Sequence, residues 1–274
     1  MKTHERTKKM AECALMIAFA TVLSVIPLAQ LPYGGSITVA SMLPIVLISY
    51  RRGLAWGTGA GLVFGVIQQL LGLSNLSYFT TWQSIVAIVF LDYLIAFGAA
   101  GLGGICRKSA LAPRHALLVG SLFVSVLRYL CHVVSGATVW AGLSIPTEAA
   151  LAYSLAYNAT YMIPEGIVLA LSAFYLGSVL DFRSERIRRL PMAHSTSRTS
   201  GWLGAGAGLL LTFALIFDTV SVFSCMQSPE TGEFDLARLQ GSALTAPWLG
   251  ILLVTLIALS LAVALLLVRR RLRK

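Results

Sequence analysis

Ionisable and aromatic groups interrupt apolar sequence at three places, and their spacing suits recognition of a small molecule. In RYLCH, Arg128 and His132 stand four residues apart, so a helix would place them on one face. Gly136 continues that face by one turn and would let a ligand or another helix approach the backbone closely. Trp140 follows at the exit of the segment. In LDY, Asp92 brings a carboxylate into a second apolar run, with Tyr93 beside it. In AYSLAYN and beyond, Ser154, Asn158, Tyr161 and Glu165 are spaced by 4, 3 and 4 residues, a polar stripe on one helix. A carboxylate can accept a charge-assisted hydrogen bond from a cationic or amino-bearing ligand. Asn offers two donors and an acceptor, and aromatic faces suit a cation. Covalent chemistry is not indicated: the chain has no nucleophile elbow, HExxH, P-loop or suitably spaced carboxylate pair. The four cysteines, Cys13, Cys106, Cys131 and Cys225, lack metal-ligand spacing. No metal, cofactor or enzymatic activity is expected.

The elements that must position these groups are membrane helices. Hydrophobic residues make up 57% of the 274-residue chain and charged residues only 12%, against about 25% charged in an ordinary soluble domain. The net charge of +10 is clustered at 2–9, 51–52, 107–114, 183–198 and 269–274, with apolar segments between. This is the pattern of the positive-inside rule. It argues for contact with the lipid bilayer and against nucleic acid. A span needs about 20 apolar residues, and eight candidates follow: roughly 10–30, 38–50, 54–73, 83–105, 116–135, 150–180, 202–223 and 247–268. Eight crossings put both termini and every basic cluster on the cytoplasmic side, leaving only Arg238 outside. The polar motifs then lie near the outward ends of their helices, in a pocket open to the exterior. The second candidate is short, and its GGSIT start reads as irregular. Pro164 should kink the sixth.

Each feature also has a plainer reading. Arg128 would snorkel outward or pair with Asp92. Glu165 would satisfy backbone groups freed at Pro164. The aromatics Tyr33, Tyr78, Phe79, Trp82, Tyr93, Trp140, Tyr153 and Tyr157 would form either an interfacial belt or, in part, a cage around a cation. Gly57, Gly61 and Gly65, and likewise Ala14 and Ala18, form small-residue faces for internal packing or for docking a partner.

With LPYGGSITVASMLPIVLISYRRG, LDY, RYLCHVVSG, Trp140 and AYSLAYN in order, residues 8–180 resemble the thiamine-specific S components of energy-coupling factor transporters. The resemblance implies an all-α integral membrane protein: a six-helix S-component-like bundle over 1–180, here followed by a basic cytoplasmic linker at 181–201 and a two-helix transmembrane hairpin at 202–274. It implies a cell-membrane vitamin importer subunit that binds thiamine near the outer face. The subunit would work with a transmembrane coupling subunit and two cytoplasmic ATPases. By resemblance, Asp92, His132, Tyr153 and Asn158 hold the pyrimidine, Trp140 and Tyr93 flank the ligand, and Gly136 gives a close backbone approach. Ala14 and Ala18 match the face toward the coupling subunit. The family carries Glu at the position of Asp92, and an aromatic and a carboxylate where this chain has Gly35 and Val39. Tyr78 and Trp82 are candidates to replace that wall. With no Lys and only Arg128 nearby, the free vitamin is favoured over a phosphorylated form. Rival readings are an S component for a thiamine precursor or another vitamin, and an autonomous ion-coupled secondary transporter.

Overall fold

In the computed structural model, the described residues are 2–31, 34–143, 147–190, 198–228, 234–235, 238 and 246–272. They fall into two compact units, 1–190 and 191–274. Tyr33 and the linker residues 191–197 lie outside the described residues.

Six helices build the first unit. α1 (Lys2–Ser24) carries its charges in its first half and runs into an antiparallel pair, β1 (Pro27–Gln30) and β2 (Ser36–Thr38). α2 (Leu43–Arg52) is fully wrapped, with every residue from Leu43 to Tyr50 buried. A helix apolar on all sides has to sit in the centre of a bundle. Gly53, at φ 103°, turns the chain directly from α2 into α3 (Leu54–Leu71), a backbone conformation that glycine adopts without Cβ strain. α4 (Trp82–Gly104), α5 (Pro113–Thr138) and α6 (Ala150–Val179) complete the unit. The core joins Ile45, Ile48, Phe64, Phe97, Leu117, Val124 and Leu169 from α2 to α6.

The second unit contains α7 (Arg198–Met226) and α8 (Ala246–Arg271). Among the described residues, Asp218 of α7 accepts from the Thr255 hydroxyl of α8 at 2.5 Å. Both helices are long and apolar enough to cross a membrane, as are α3 to α6. The chain is therefore a multi-pass membrane protein: a six-helix bundle with two further apolar helices. The eight expected crossings are corrected in detail. Ten residues rising about 1.5 Å each give α2 roughly half the thickness of the hydrocarbon core. The segment at 38–50 thus begins as a strand, and only its second part is helix.

The glycine row of α3 is internal packing. A Cβ on Gly57 would strike Ser49 and the Gly101 carbonyl, one on Gly61 the Phe97 carbonyl, and one on Gly65 would stand 2.7 Å from the Tyr93 carbonyl. Ala14 and Ala18 behave differently and are exposed on α1 beside Leu15 and Phe19.

Basic side chains gather at one end of the bundle. Glu12 pairs with Arg51 at 2.5 Å and with Arg52. Arg107 donates to the carbonyls of Tyr50 and Arg51, and Arg183 donates to the Tyr50 hydroxyl and the Leu111 carbonyl. Arg51 also donates to the Phe182 carbonyl at 3.1 Å. These bonds hold residues 180–190 under α2, where β3 (Leu180–Asp181) pairs with β4 (Arg188–Arg189). The first half of the expected linker is thus part of the first unit, and its last residues, from Arg198, belong to α7.

Candidate ligand-binding site

At the other end of the bundle, a cavity of about 720 Å³ is bordered by the β1–β2 hairpin, α3, α4, α5 and α6. Its volume lies in the range of small-molecule sites, about 300–1,000 Å³. Asp92, Tyr93, His132, Gly136, Trp140 and Asn158 all line it.

The site is organised around Asp92. Its Oδ1 lies 2.8 Å from His132 Nδ1, and its Oδ2 accepts from the Ser135 hydroxyl at 2.7 Å and from the Trp140 indole N–H at 3.2 Å. All of these groups can donate, so the carboxylate serves as the acceptor of a three-armed network. Placing the His132 proton on Nδ1 leaves Nε2 as an acceptor on the neutral ring. Nε2 is buried and has no partner, and the ring lines the cavity. An amino or N–H group of a ligand is what that atom lacks.

Asp92 and Tyr93 are adjacent, and an α-helix would turn them about 100° apart. Residues Val89–Ile95 instead form a π-helical turn, whose wider i→i+5 winding reduces the angle between neighbours. Both side chains line one cavity. π-turns inside helices concentrate at functional sites for this kind of reason. The Tyr93 hydroxyl receives the Asn75 amide at 3.4 Å.

The stripe on α6 has a more structural role than its sequence suggests. Asn158 donates to the carbonyls of His132 and Ser154, at 3.2 and 2.9 Å, and its own carbonyl accepts from Tyr161 at 2.6 Å. Ser154 donates to the Val133 carbonyl at 2.8 Å. Asn158 thus lines the cavity while fastening α6 to α5. Glu165 does not serve the backbone of its own helix around Pro164. It accepts from the Thr38 N–H at 2.6 Å and the Thr38 hydroxyl at 2.8 Å, anchoring the hairpin to α6.

Other candidates lie outside the cavity lining. Tyr153 is partly buried on α6. Tyr78 is tilted against Trp140 with ring centroids 6.0 Å apart, and Phe79 meets the same indole edge to face at 4.8 Å. They support Trp140 from behind. Trp82 is 70% exposed at the start of α4, as an interfacial aromatic would be. The expected gap at Gly35 is closed from within, because a Cβ there would lie 3.0 Å from the Tyr161 ring. Tyr161 of the polar stripe and Tyr157 of the aromatic set line the cavity, and so do Gln30, Gln68 and Asn75, which were not singled out for it. The stripe periodicity pointed to Tyr161, but the hairpin amide of Gln30 left no periodic signal.

Arg128 departs most from expectation. It does not snorkel, being only 8% exposed, and it forms no ion pair with Asp92, whose carboxylate is bonded instead to His132, Ser135 and Trp140. It lines the cavity with its guanidinium carbon 4.5 Å from the centroid of the Phe97 ring.

A membrane bundle around a polar cavity built for hydrogen bonding is the architecture of a substrate-binding transport protein. A family model described as thiamine transporter protein (Thia_YuaJ) matches residues 10–181. The chain belongs to that family. It is 35% identical over 182 residues to the thiamine transporter ThiT of Bacillus subtilis (strain 168), covering 62% of this chain and 91% of the relative. It is 27% identical over 174 residues to the thiamine transporter ThiT of Lacticaseibacillus paracasei (strain ATCC 334), covering 58% and 81%. A solved structure of ThiT from Listeria monocytogenes superposes with a TM-score of 0.53 at 26% identity, covering 63% of this chain and 94% of that one.

Proposed function

We propose that the first unit binds thiamine in this cavity and delivers it across the cell membrane as the S component of an energy-coupling factor importer. The observation that carries the reading is the Asp92 network, with the open acceptor at His132 Nε2 beside it. The aminopyrimidine of thiamine offers N–H donors for His132 Nε2 and the carboxylate. The thiazolium brings a fixed positive charge for the faces of Trp140 and Tyr93, a contact worth about 2 kcal/mol or more when desolvated. Gly136 lets the ligand approach α5. Tyr153, with Tyr78 behind Trp140, completes the surroundings, and Trp82 marks the membrane interface.

The basic end of the bundle is the cytoplasmic one on the positive-inside rule, so the cavity faces outward and both termini lie in the cytoplasm. The exposed small-residue face at Ala14 and Ala18 is the docking face for a coupling subunit that carries two ATPases.

Quenching of intrinsic Trp fluorescence in the purified chain tests the ligand. Thiamine should quench saturably at nanomolar concentration. Losing a hydrogen bond to a charged group costs about 1.5–3 kcal/mol, so Asp92→Ala should weaken binding roughly 10- to 150-fold. Silence toward thiamine with a response to another vitamin would sink the assignment. In proteoliposomes the chain alone should not accumulate thiamine. Uptake driven by an ion gradient without ATPases would favour a secondary transporter.

A further inference from the structure

The second unit carries one group that its apolar helices do not account for. From Thr199 to Met226, Asp218 is the only charged residue of α7, and α8 has none from Ala246 to Val268. A Cβ on Gly204 would meet Arg269, and Asp218 bonds Thr255, so the two helices run antiparallel. Their Trp residues, Trp202 and Trp248, therefore mark opposite ends of the pair, as interfacial aromatics do. Asp218 stands sixteen residues after Trp202 and Thr255 seven residues after Trp248, about 24 Å and about 10 Å along the respective axes. The carboxyl group is thus inside the hydrocarbon layer, toward the end away from the arginines. An ionisable side chain at that depth needs a partner.

The bond to Thr255 supplies only part of one. The Thr255 hydroxyl lies 2.5 Å from Asp218 Oδ1 and also 2.8 Å from the Ile251 carbonyl. A hydroxyl has one proton to donate, so these two acceptors compete for it. Among the described residues, no ion pair includes Asp218. The side chain is half-buried, and Leu252 and Leu259, which flank Thr255 on α8, are 55% and 41% exposed. Lipid tails can cover leucine, but they offer a carboxyl group nothing.

Charge decides between the occupants. A second copy of the hairpin would bring another Asp218 and no cation at this depth, because Arg269 stands fourteen residues from Thr255, about 21 Å along the axis. What complements the site is a guanidinium or ammonium carried into the bilayer on another helix, its aliphatic stem lying along the leucines. We propose that α7 and α8 form a docking surface for a transmembrane helix of another protein, whose single Arg or Lys pairs with Asp218 inside the membrane. The surface lies beyond the family-matched residues 10–181 and is independent of the thiamine cavity.

The test reconstitutes the full chain in lipid nanodiscs with a synthetic single-span Leu/Ala helix. The helix carries either Arg or Leu about 10 Å from its Trp anchor, and association is read by energy transfer. The Arg helix should associate at least about tenfold more tightly than the Leu helix, as a hydrogen bond between charged groups predicts. That preference should vanish in Asp218→Leu, fall in Asp218→Asn and survive in Thr255→Val, which removes the competing hydroxyl. Equal association of the two helices with the parent chain, a comparison that needs no variant to fold, overturns the proposal. So does a preference kept in Asp218→Leu, or one lost as completely in Thr255→Val, which would make the Asp218–Thr255 pair a clasp within the hairpin. A cross-linked dimer of the chain that Asp218→Leu abolishes would assign the carboxyl group to a second copy and overturn it as well.

Discussion

Asp92 shows how far single residues can be read. A carboxylate inside an apolar run had to have partners, and His132, Gly136 and Trp140 stood at helical intervals that could supply a lining. Ser135 escaped notice because serine is common in membrane helices and breaks no pattern, yet its hydroxyl reaches Oδ2 at 2.7 Å. Ser135→Ala removes one arm of the network and leaves the carboxylate less firmly oriented. We expect thiamine affinity to fall roughly 5- to 30-fold, the equivalent of about 1–2 kcal/mol, measured by calorimetry. An affinity within twofold of the parent would show that His132 and Trp140 orient Asp92 without it. Arg128 was misplaced for a related reason. Snorkelling is the cheapest fate of an arginine near a helix end, and only three-dimensional packing shows that Phe97 and Met42 enclose it.

At the level of elements, helix positions could be read from hydropathy, but local winding could not. The π-turn at Val89–Ile95 has no composition of its own, and it sets the angle between Asp92 and Tyr93, which both line the cavity. Phe90, in that turn, is 53% exposed, so its side chain contributes little to the interior. Deleting it should return the segment to α-helical register and swing Asp92 away from His132. Ligand binding should drop at least tenfold in the fluorescence titration while the circular dichroism spectrum stays helical. Retained affinity would mean that the turn is incidental to the site. The β1–β2 hairpin was only half visible: GGSIT read as irregular, but its pairing with Pro27–Gln30, inside the first expected span, left no local signal. Glu165 at 3% exposure anchors that hairpin from the far side of the sequence, a long-range bond that no local pattern could signal.

For the whole molecule, composition and charge clustering identified a membrane protein, and the family match ends at residue 181, near the close of the first unit. The site draws every lining residue from that unit. A chain ending at residue 190 should therefore keep the clasp at 180–190 and bind thiamine with an affinity within about threefold of the full chain by the same titration. A loss beyond tenfold would make the second unit part of the binding device.

The close approach of α2, α3, α4 and α5 has a further meaning for how this sequence can vary. A Cβ on Gly101 would meet the backbone of Thr58, one on Gly104 the backbone of Ser49, and one on Gly120 the carbonyl of Gly103. Backbone cannot step aside as a side-chain tip can. Along these seams the usual order of mutational tolerance is inverted. Large lipid-facing residues such as Leu62, Val63 and Val66 are free to drift among apolar types, while the residues with nothing to contribute but their smallness are the ones that cannot change.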